Sequence, residues 1–459
     1  MVQPSHDFKE RAHKILDAVS AGDFFEANHP KLLPTFDRWN TNKKKRQEFT
    51  LGETLGKGAY CFVSEITDIT LTRAQDGNTD ADGTTSSLDL NSILNTTSDD
   101  DVVLDETDFP VGLFRNTDDM RKYMSEYCLR EDDGGKHARY ALKQLKPTND
   151  REKLEQGLID ISIEAKFLSY IDHPNIIKMR GIAGEPLSPN FALVLDRLYM
   201  TLQEQMEQWA ADRKVATASR WSLCGCYFGT VDEIVIAKQV FSALTVAYDL
   251  SCALRHIHSC NLLYRDVKPE NAGFDVRGTI KLFDFGFCKE LRKDLYDEKS
   301  GGYNLTIMTG SAPYMAPENL LGKPYGTPAD VFSFGVLVWE MLHCTYAFHH
   351  LNIWAYREVV AEKNNRPRID KSLSSRVQGL IKESWDRDPN KRPTFKSLAL
   401  LLKSEYQEIV NETEPGTVSR SQHLMDSSAR SFEGVFTSVF ESRRSSKGGK
   451  DKKKIDAES

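Results

Sequence analysis

The sequence predicts a mixed α and β protein built from two lobes. An alternating apolar pattern follows Val63 and indicates β-strand, whereas residues 159–168, 202–211 and 231–259 have helical spacing. With 459 residues the chain is longer than a single compact core usually allows. Two lobes with appended segments therefore fit its length.

We divide the chain into four predicted parts, in which the motifs described below bound the two lobes. They are an N-terminal extension over 1–47, a first lobe over 48–198, a second lobe over 199–410 and a C-terminal tail over 411–459. The extension has a short helical pattern at Phe8, Ala12, Ile15, Leu16 and Val19. Its basic run Lys43–Arg46 is interpreted as a linker, with a nuclear-import signal as the alternative.

A polar insertion over about residues 68–136 interrupts the first lobe. It is rich in Asp, Asn, Thr, Ser and Gly, so we predict that much of it is disordered. Within the insertion, the apolar stretch 109–114 is a candidate for docking back onto the lobe. An alternative interpretation is that the insertion recruits a basic partner. A smaller insertion, roughly 212–230, is predicted after the helix over 202–211.

The most informative motif is the run Tyr264–Asn271, followed by Asp284-Phe285-Gly286. Together they supply two carboxylates, an amide and a lysine: Asp266, Asp284, Asn271 and Lys268. Such groups suit phosphoryl transfer, because oxygen ligands hold Mg²⁺ and a lysine neutralises phosphate charge. Upstream, the run Leu55-Gly56-Lys57-Gly58 has two glycines that let backbone N–H groups approach phosphate oxygens.

In their order along the chain, these motifs resemble those of eukaryotic-type protein kinases over about residues 48–405. The resemblance implies an α+β, bilobal protein kinase fold, with a five-stranded antiparallel small lobe, one main helix there, and a mostly helical large lobe. It implies ATP and Mg²⁺ as cofactors, and transfer of the γ-phosphate of ATP to protein hydroxyls. A pseudokinase scaffold that binds nucleotide without efficient catalysis is the alternative.

The resemblance also implies a role for each residue of the catalytic loop. Asp266 would accept or orient the substrate hydroxyl proton, and Lys268 would meet the γ-phosphate. Arg265 would pair with a phosphate on the activation segment. Asn271 and Asp284 would bind Mg²⁺.

The nucleotide-binding residues are likewise implied by the resemblance. Lys143 ends a strand similar to the family's Val-Ala-Ile-Lys strand and would contact the α- and β-phosphates, held by Glu164. The hinge would run over 195–198 and meet the adenine through backbone groups. The full expected set is Leu55, Gly56, Lys57, Gly58, Val63, Ala141, Lys143, Glu164, Asp196 and Leu198.

Three positions depart from the family pattern. Cys61 stands at the third glycine of the loop and is interpreted as an inert small residue, with a reactive thiol as the alternative. Gly273 stands where an apolar side chain usually lies under the adenine, which predicts a roomier base pocket. Tyr264 replaces the usual histidine and is expected to pack against Asp-Phe-Gly.

Other residues are expected to be structural or regulatory. Glu318 should form a buried ion pair with Arg392, and Asp330 should tie the central helix of the large lobe to the catalytic loop. Thr306 and Thr309 are the candidate activation phosphosites, with unmodified loop threonines as the alternative.

Two features favour serine and threonine as the phosphorylated residues. They are Lys268 itself and Ser311, which resembles the residue that contacts both this lysine and the catalytic aspartate. The segments 330–340 and 384–395 are similar to the tyrosine-kinase-like group, whose members are mostly serine/threonine-directed. A tyrosine-directed enzyme is a third interpretation.

Composition bounds the partners and the compartment. The formal net charge of −7 argues against nucleic-acid binding, so ATP and a protein substrate are the expected partners. The eight scattered cysteines and the absence of a signal-peptide-like or membrane-spanning run predict a cytoplasmic protein, with nuclear or membrane-peripheral locations as alternatives. No metal is expected at Cys224-Gly225-Cys226. An apolar stripe over 432–440 beside basic residues 450–454 suggests a tail that docks on protein or on membrane.

Overall fold

The computed structural model describes residues 3–5, 7–37, 48–71, 116–132, 135–222 and 229–413. Up to residue 201 the described chain contains most of the strands. In order, its elements are α1 (Phe8–Ser20), α2 (Asp23–Ala27), β1 (Thr35–Phe36), β2 (Phe49–Lys57), β3 (Cys61–Ile69), α3 (Thr117–Glu126), β4 (Leu129–Asp132), β5 (Gly135–Ala138), β6 (Tyr140–Leu145), α4 (Arg151–Leu168), β7 (Met179–Ala183), β8 (Ala192–Asp196) and β9 (Met200–Thr201).

From residue 202 onward the described chain is mostly helical. Its elements are α5 (Leu202–Ser222), α6 (Gly229–Ser259), β10 (Leu262–Leu263), β11 (Ala272–Phe274), β12 (Ile280–Leu282), β13 (Lys289–Glu290), β14 (Tyr296–Asp297), β15 (Gly302–Tyr303), α7 (Pro317–Leu320), α8 (Pro328–His343), α9 (Ile353–Tyr356), α10 (Ser375–Ser384) and α11 (Phe395–Thr413). Short 3₁₀ turns include Pro269–Asn271 and Ala312–Tyr314, and a π-helical segment covers Arg357–Glu362.

The described residues cluster into two compact units. The smaller unit comprises the described parts of 32–146 and 180–194. Its sheet has the strand order β1-β7-β8-β6-β3-β2, in which β3 is antiparallel to both β2 and β6. Side chains from these strands and from α3 form one apolar cluster, which includes Phe36, Ile66 and Leu142.

The sheet has one strand more than the five that were predicted. The additional strand, β1, comes from the N-terminal extension and runs parallel to β7. The Ile182 backbone N–H donates to the Pro34 carbonyl at 3.0 Å, and a Cβ at Gly181 would lie 2.8 Å from the same oxygen. Glycine therefore allows this close approach. Two residues are too few to show a strand period, so the sequence pattern could not indicate β1.

The end of the acidic insertion, residues 116–132, is ordered, so the predicted disorder does not extend to this part. Asn116 caps α3 by accepting two backbone N–H bonds, both of 2.9 Å. Met124 and Cys128 are buried in the apolar cluster of the sheet. The average composition of the insertion gave no indication of these two buried residues. Residues 72–115, and with them the stretch 109–114, lie outside the described residues.

The larger unit comprises the described parts of 1–31, 147–179 and 195–413. Its central helix is α8, in which every residue from Ala329 to Leu342 is buried. This helix packs against α6 and α10, and α11 packs against both α6 and α10. The helix that carries Glu164, α4, also belongs to this unit, and α1 packs along it.

The helix α5 is longer than predicted and continues through most of the expected second insertion. It ends at Ser222. Arg213 donates a hydrogen bond to the Leu342 carbonyl at 3.0 Å and another to the Gln239 side chain. Residues 223–228, which include Cys224-Gly225-Cys226, lie outside the described residues.

Several predicted segments cannot be compared with the structure. The basic run 43–46 and the tail features at 432–440 and 450–454 lie outside the described residues. Within the described ranges, no helix combines the length and the apolar character needed to cross a bilayer.

The middle of the large unit contains a buried acid, Glu340, whose residue exposure is 1%. Its Oε2 accepts a hydrogen bond from the Tyr314 hydroxyl at 2.8 Å, and its Oε1 accepts one from the Ala347 N–H at 2.9 Å. Burial raises the pKa of Glu340 to about 7, although both hydrogen bonds oppose the shift. The nearby carboxylate of Glu270 raises this pKa further.

We predict that Met124→Ala destabilises the smaller unit, because it leaves a cavity in the apolar cluster. The free energy of unfolding should fall by about 2–5 kcal/mol, measured by urea denaturation. Lys122→Ala is the matched control, since the Lys122 side chain is 53% exposed on the same helix. Equal losses in the two variants would show that α3 is not part of this core.

We also predict a pH-dependent stability difference between the wild type and Glu340→Gln. Between about pH 4.5 and about pH 7 the unfolded carboxyl ionises while the folded one stays protonated, so the wild type loses stability as pH rises. The loss should total roughly 3 kcal/mol and level off once both states are ionised. Glutamine lacks this titration, and its amide can still pair with Tyr314 and Ala347. Denaturation curves at stepped pH test this; stability profiles that stay parallel throughout would contradict it.

Candidate active site

The loop that carries Asp266 is anchored by Asp330, from the first turn of α8. The Oδ2 atom of Asp330 accepts hydrogen bonds from the Tyr264 N–H at 2.9 Å and from His258 Nε2 at 2.8 Å. Its Oδ1 accepts the Arg265 N–H at 2.8 Å. Arg265 has a φ of +71°, in the left-handed region. The predicted tie between the central helix and this loop is therefore present.

The Asp266 carboxylate is the centre of a polar cluster. Its Oδ1 accepts bonds from the Ser311 hydroxyl at 2.8 Å and the Ser311 N–H at 3.0 Å. Its Oδ2 accepts the Asn271 amide at 2.7 Å and lies 2.7 Å from Lys268 Nζ. Lys268 also donates to the Ser311 hydroxyl at 2.8 Å. The structure thus brings together four residues that the sequence singled out.

Tyr264 packs against Asp-Phe-Gly as expected. Its fully buried ring lies 5.3 Å from the Phe285 ring, measured between centroids, with an interplanar angle of 74°. Its hydroxyl donates to the Phe283 carbonyl. An aromatic residue therefore supports this motif at the position of the family's histidine.

Three predicted acidic residues lie around this tyrosine. Burial raises the pKa of Tyr264 well above its ordinary value, and the carboxylates of Asp284, Asp266 and Glu164 raise it further. Asp284 has a φ of +64°, and Glu164 is 2% exposed on α4. Glu164, far from the other two in sequence, thus shares their surroundings.

Arg265 has two partners that the sequence did not indicate. Its Nε donates to the Phe287 carbonyl at 2.6 Å, and its guanidinium lies 3.4 Å from the Tyr325 hydroxyl. The Tyr325 hydroxyl donates in turn to the Thr306 carbonyl at 2.6 Å. These hydrogen bonds link Arg265 to Thr306, one of the two candidate phosphosites. The hydroxyl of the other candidate, Thr309, donates to the Thr306 carbonyl at 3.0 Å. No local motif marks Tyr325, so only the structure identifies it.

The glycine-rich run forms the hairpin between β2 and β3. Gly56 pairs with Val63, and the Gly58 N–H donates to the Cys61 carbonyl at 2.9 Å. A Cβ at Gly56 would meet nothing within 4 Å, and one at Gly58 would have its nearest neighbour at 3.7 Å. The fold itself therefore does not require glycine here, which fits an approach by phosphate. Cys61 is buried, in agreement with an inert small residue.

Lys143 lies on β6, directly opposite Val63 on β3. In the same register, Ala141 faces Glu65 and is 2% exposed. The smaller unit thus places the glycine-rich hairpin and the lysine on neighbouring strands. Leu55, near the end of β2, is 37% exposed.

Neighbouring groups approach Gly273 closely, and the predicted roomier base pocket stays a prediction. A Cβ there would lie 3.0 Å from Leu198 Cδ1 and 3.1 Å from the Met200 carbonyl. The Leu198 side chain therefore occupies the space that an apolar residue at 273 would fill. Asp196, at the end of β8, donates its backbone N–H to the Lys178 carbonyl at 3.1 Å.

The residues fit a magnesium–nucleotide complex in their donor chemistry. Both hydrogen bonds between Asn271 and Asp266 use the Asn271 amide nitrogen, which leaves its side-chain oxygen as a hard ligand. Among the described residues, no group of three or more His, Cys, Asp or Glu side chains could hold a metal. An ion at Asn271 and Asp284 would therefore need phosphate oxygens and water as further ligands, which Mg²⁺ readily accepts.

The predicted ion pair between Glu318 and Arg392 is present and bidentate. Its two N–O distances are 2.6 and 2.8 Å, and both residues are buried. Arg392 also donates to the Pro328 carbonyl at 2.8 Å, at the start of α8. The pair therefore joins α7 to the N-terminus of the central helix.

Comparison with known proteins gives one family. Residues 128–406, more than half of the chain, match the family described as protein kinase domain. Serine/threonine/tyrosine-protein kinase HT1 of Arabidopsis thaliana is 28% identical over 60% of this chain and 63% of its own length. Dual specificity protein kinase shkB of Dictyostelium discoideum is 32% identical over 44% of this chain and 30% of its length. Serine/threonine-protein kinase STY17 of Arabidopsis thaliana is 26% identical over 62% of this chain and 42% of its length. The chain thus covers less than two thirds of each of these relatives.

Proposed function

This chain belongs to the protein kinase domain family, and from that premise we propose that it is an ATP-dependent kinase acting on serine and threonine hydroxyls of proteins. The resemblance drawn from the motifs and the mixed α+β fold are confirmed by the family match. The observation that carries the proposed activity is the cluster at Asp266, where a carboxylate, an amide, a lysine and a hydroxyl lie within hydrogen-bonding distance.

The Asp266 carboxylate would serve as the general base. It already accepts a hydrogen bond from one serine hydroxyl, that of Ser311, at 2.8 Å. A substrate serine or threonine would present the same group. Asn271 and Lys268 hold the other carboxylate oxygen at 2.7 Å each, so the base is oriented before substrate arrives.

Bound cations and cationic side chains would neutralise the charge on the transferring phosphate. Magnesium-bound ATP supplies the phosphoryl group, and phosphoryl transfer depends mostly on positioning and charge stabilisation. Asn271 and Asp284 would hold the ion, and Lys268 would contact the γ-phosphate. Lys143 and the open backbone of the glycine hairpin would bind the remaining phosphates.

The bonds that join Lys268, Ser311 and Asp266 support serine and threonine as the accepting residues. Two of the relatives are named as serine/threonine/tyrosine and dual-specificity kinases, so action on tyrosine as well is the second candidate. A pseudokinase scaffold is not favoured, because the chain matches the protein kinase domain family and Asn271 is bonded to the proposed base Asp266. A cytoplasmic location stays a prediction.

We expect Asp266→Asn to lower the rate of phosphate transfer from labelled ATP to a generic protein substrate by about 10²–10⁴-fold, because the base is lost. The amide keeps the size of the side chain, so the thermal unfolding temperature should change little. Asp118→Asn is the matched control, since that side chain is 85% exposed. An Asp266→Asn enzyme with near-normal turnover would refute the assignment of the base.

We further expect that phosphoamino-acid analysis of the product detects phosphoserine and phosphothreonine. The hydroxyl of either residue is short enough to reach a base that is buried to 3% exposure. Equimolar peptides that differ only in Ser, Thr or Tyr at the acceptor position give the comparison. Comparable labelling of the tyrosine peptide would favour dual specificity.

A further inference from the structure

We propose that the N-terminal extension is a built-in positioning element for catalysis, which holds α4 and the segment after Asp-Phe-Gly in their active arrangement. This inference rests on the proposed kinase function. In that function, Glu164 on α4 and Asp284 of Asp-Phe-Gly must be in place together. All the contacts described below lie within the larger unit.

The first contact is at the N-terminal part of α4. The Glu155 carboxylate accepts a bond from the Ser5 N–H at 2.7 Å and one from the Arg11 guanidinium at 2.8 Å. Phe8 and Ala12, on α1, are 1% and 0% exposed. Hydrogen bonds to the Glu155 carboxylate, together with the apolar side chains of α1, therefore hold the extension against α4.

The second contact is at the C-terminal end of α4, beside Glu164. The Phe25 ring lies 5.3 Å from the Phe167 ring and 5.1 Å from the Tyr170 ring, between centroids. Phe24 lies 6.1 Å from Tyr170. Phe167 follows Glu164 by three residues and is 1% exposed, so this aromatic cluster lies close along the helix to the glutamate.

The backbone beyond the aromatic cluster is also held. The Lys31 N–H donates to the Ser169 carbonyl at 2.7 Å, and Lys31 Nζ donates to the Ile171 carbonyl. The extension thus contacts α4 near its start, at its end and in the turn that follows. A helix held at these points has little freedom to rotate or to swing outward.

The third contact is on the segment that follows Asp-Phe-Gly. The Phe24 N–H donates to Glu290 Oε1 at 2.8 Å, and Glu290 is 4% exposed. A Cβ at Gly22 would lie only 1.6 Å from Glu290 Oε2, so glycine permits this approach. Arg292 donates to the Ala18 carbonyl at 3.1 Å.

A single segment of about thirty residues therefore bridges two elements that a kinase must align. Glu290 follows Asp284 by six residues, and Phe167 follows Glu164 by three. Phe24 and Phe25 are adjacent in sequence: the Phe24 N–H donates to Glu290, and the Phe25 ring packs on Phe167. Phe24, Phe25 and Arg11 are thus positioning residues, and they make no contact with the Asp266 cluster.

The principal test is the full-length double variant Phe24→Ala with Phe25→Ala. Its kcat for a peptide substrate should fall by about tenfold or more while the KM for the peptide stays close to that of the wild type, because fewer molecules hold the active arrangement. Phe24→Leu with Phe25→Leu keeps apolar bulk and should restore most of the rate. Lys14→Ala is the control on α1: its side chain is 73% exposed and pairs with Glu10 on the same helix.

Hydrogen exchange separates positioning from general loss of stability. In the alanine variant, exchange should become faster in α1, α2, α4 and residues 287–295, and stay unchanged in α8 and α10. A kcat within about twofold of the wild type in a variant whose α1 and α2 exchange rapidly would overturn the proposal. Faster exchange spread evenly through α8 and α10 would also overturn it.

A second variant tests the same contact without removing apolar surface. Gly22→Leu should displace the Glu290 carboxylate, since the backbone of Gly22, with a φ of −105°, accepts any side chain. It should reproduce both the fall in kcat and the faster hydrogen exchange of the same segments. If instead the wild type transferred no phosphate, the proposed function would fail, while faster exchange of α4 in either variant would still support the positioning contact.

Discussion

The geometry of the catalytic loop depends on the carboxylate of Asp330. This group is 1% exposed and accepts bonds from two consecutive backbone N–H groups and one histidine. One of those N–H groups belongs to Arg265, whose left-handed backbone conformation costs roughly 1–2 kcal/mol for a residue with a side chain. Charged hydrogen bonds of about 1.5–3 kcal/mol each offset this cost. The reversal at Arg265 directs the next residue, Asp266, towards Ser311.

The segment that packs against this loop accommodates the left-handed conformation of Arg265. Gly310 has a φ of +105°, and a Cβ there would lie 2.3 Å from the Arg265 carbonyl. Glycine therefore lets the segment around Gly310 lie against the strained residue and brings Ser311 to Asp266. Around the buried phenol of Tyr264, the three carboxylates of Asp266, Asp284 and Glu164 concentrate negative charge. A divalent cation is the ligand that such surroundings favour.

The sequence predicted the parts of the site that lie in short, spaced motifs. Asp266, Lys268 and Asn271 share one loop, so their spacing fixes most of their geometry, and the bond of Lys268 to Ser311 was expected. Contacts made by residues outside these motifs were not accessible. Tyr325 reaches Arg265 from sixty residues away, and Leu198 fills the space beside Gly273 although nothing local marks either contact. The ordered α3 was missed because averaged composition hides an amphipathic helix of ten residues.

Some contacts of the N-terminal extension contribute stability, and others fix its geometry. Phe24 and Phe25 are 6% and 7% exposed, and burial of an aromatic side chain contributes about 1.5–3 kcal/mol. The pair between Arg11 and Glu155 involves an arginine side chain that is 57% exposed, and such pairs contribute about 1 kcal/mol or less. Affinity for α4 therefore comes from the two rings, while the polar bonds fix the register of the extension. Since α4 clusters with the helical unit and not with the sheet, the extension acts on Glu164 through elements that already belong together.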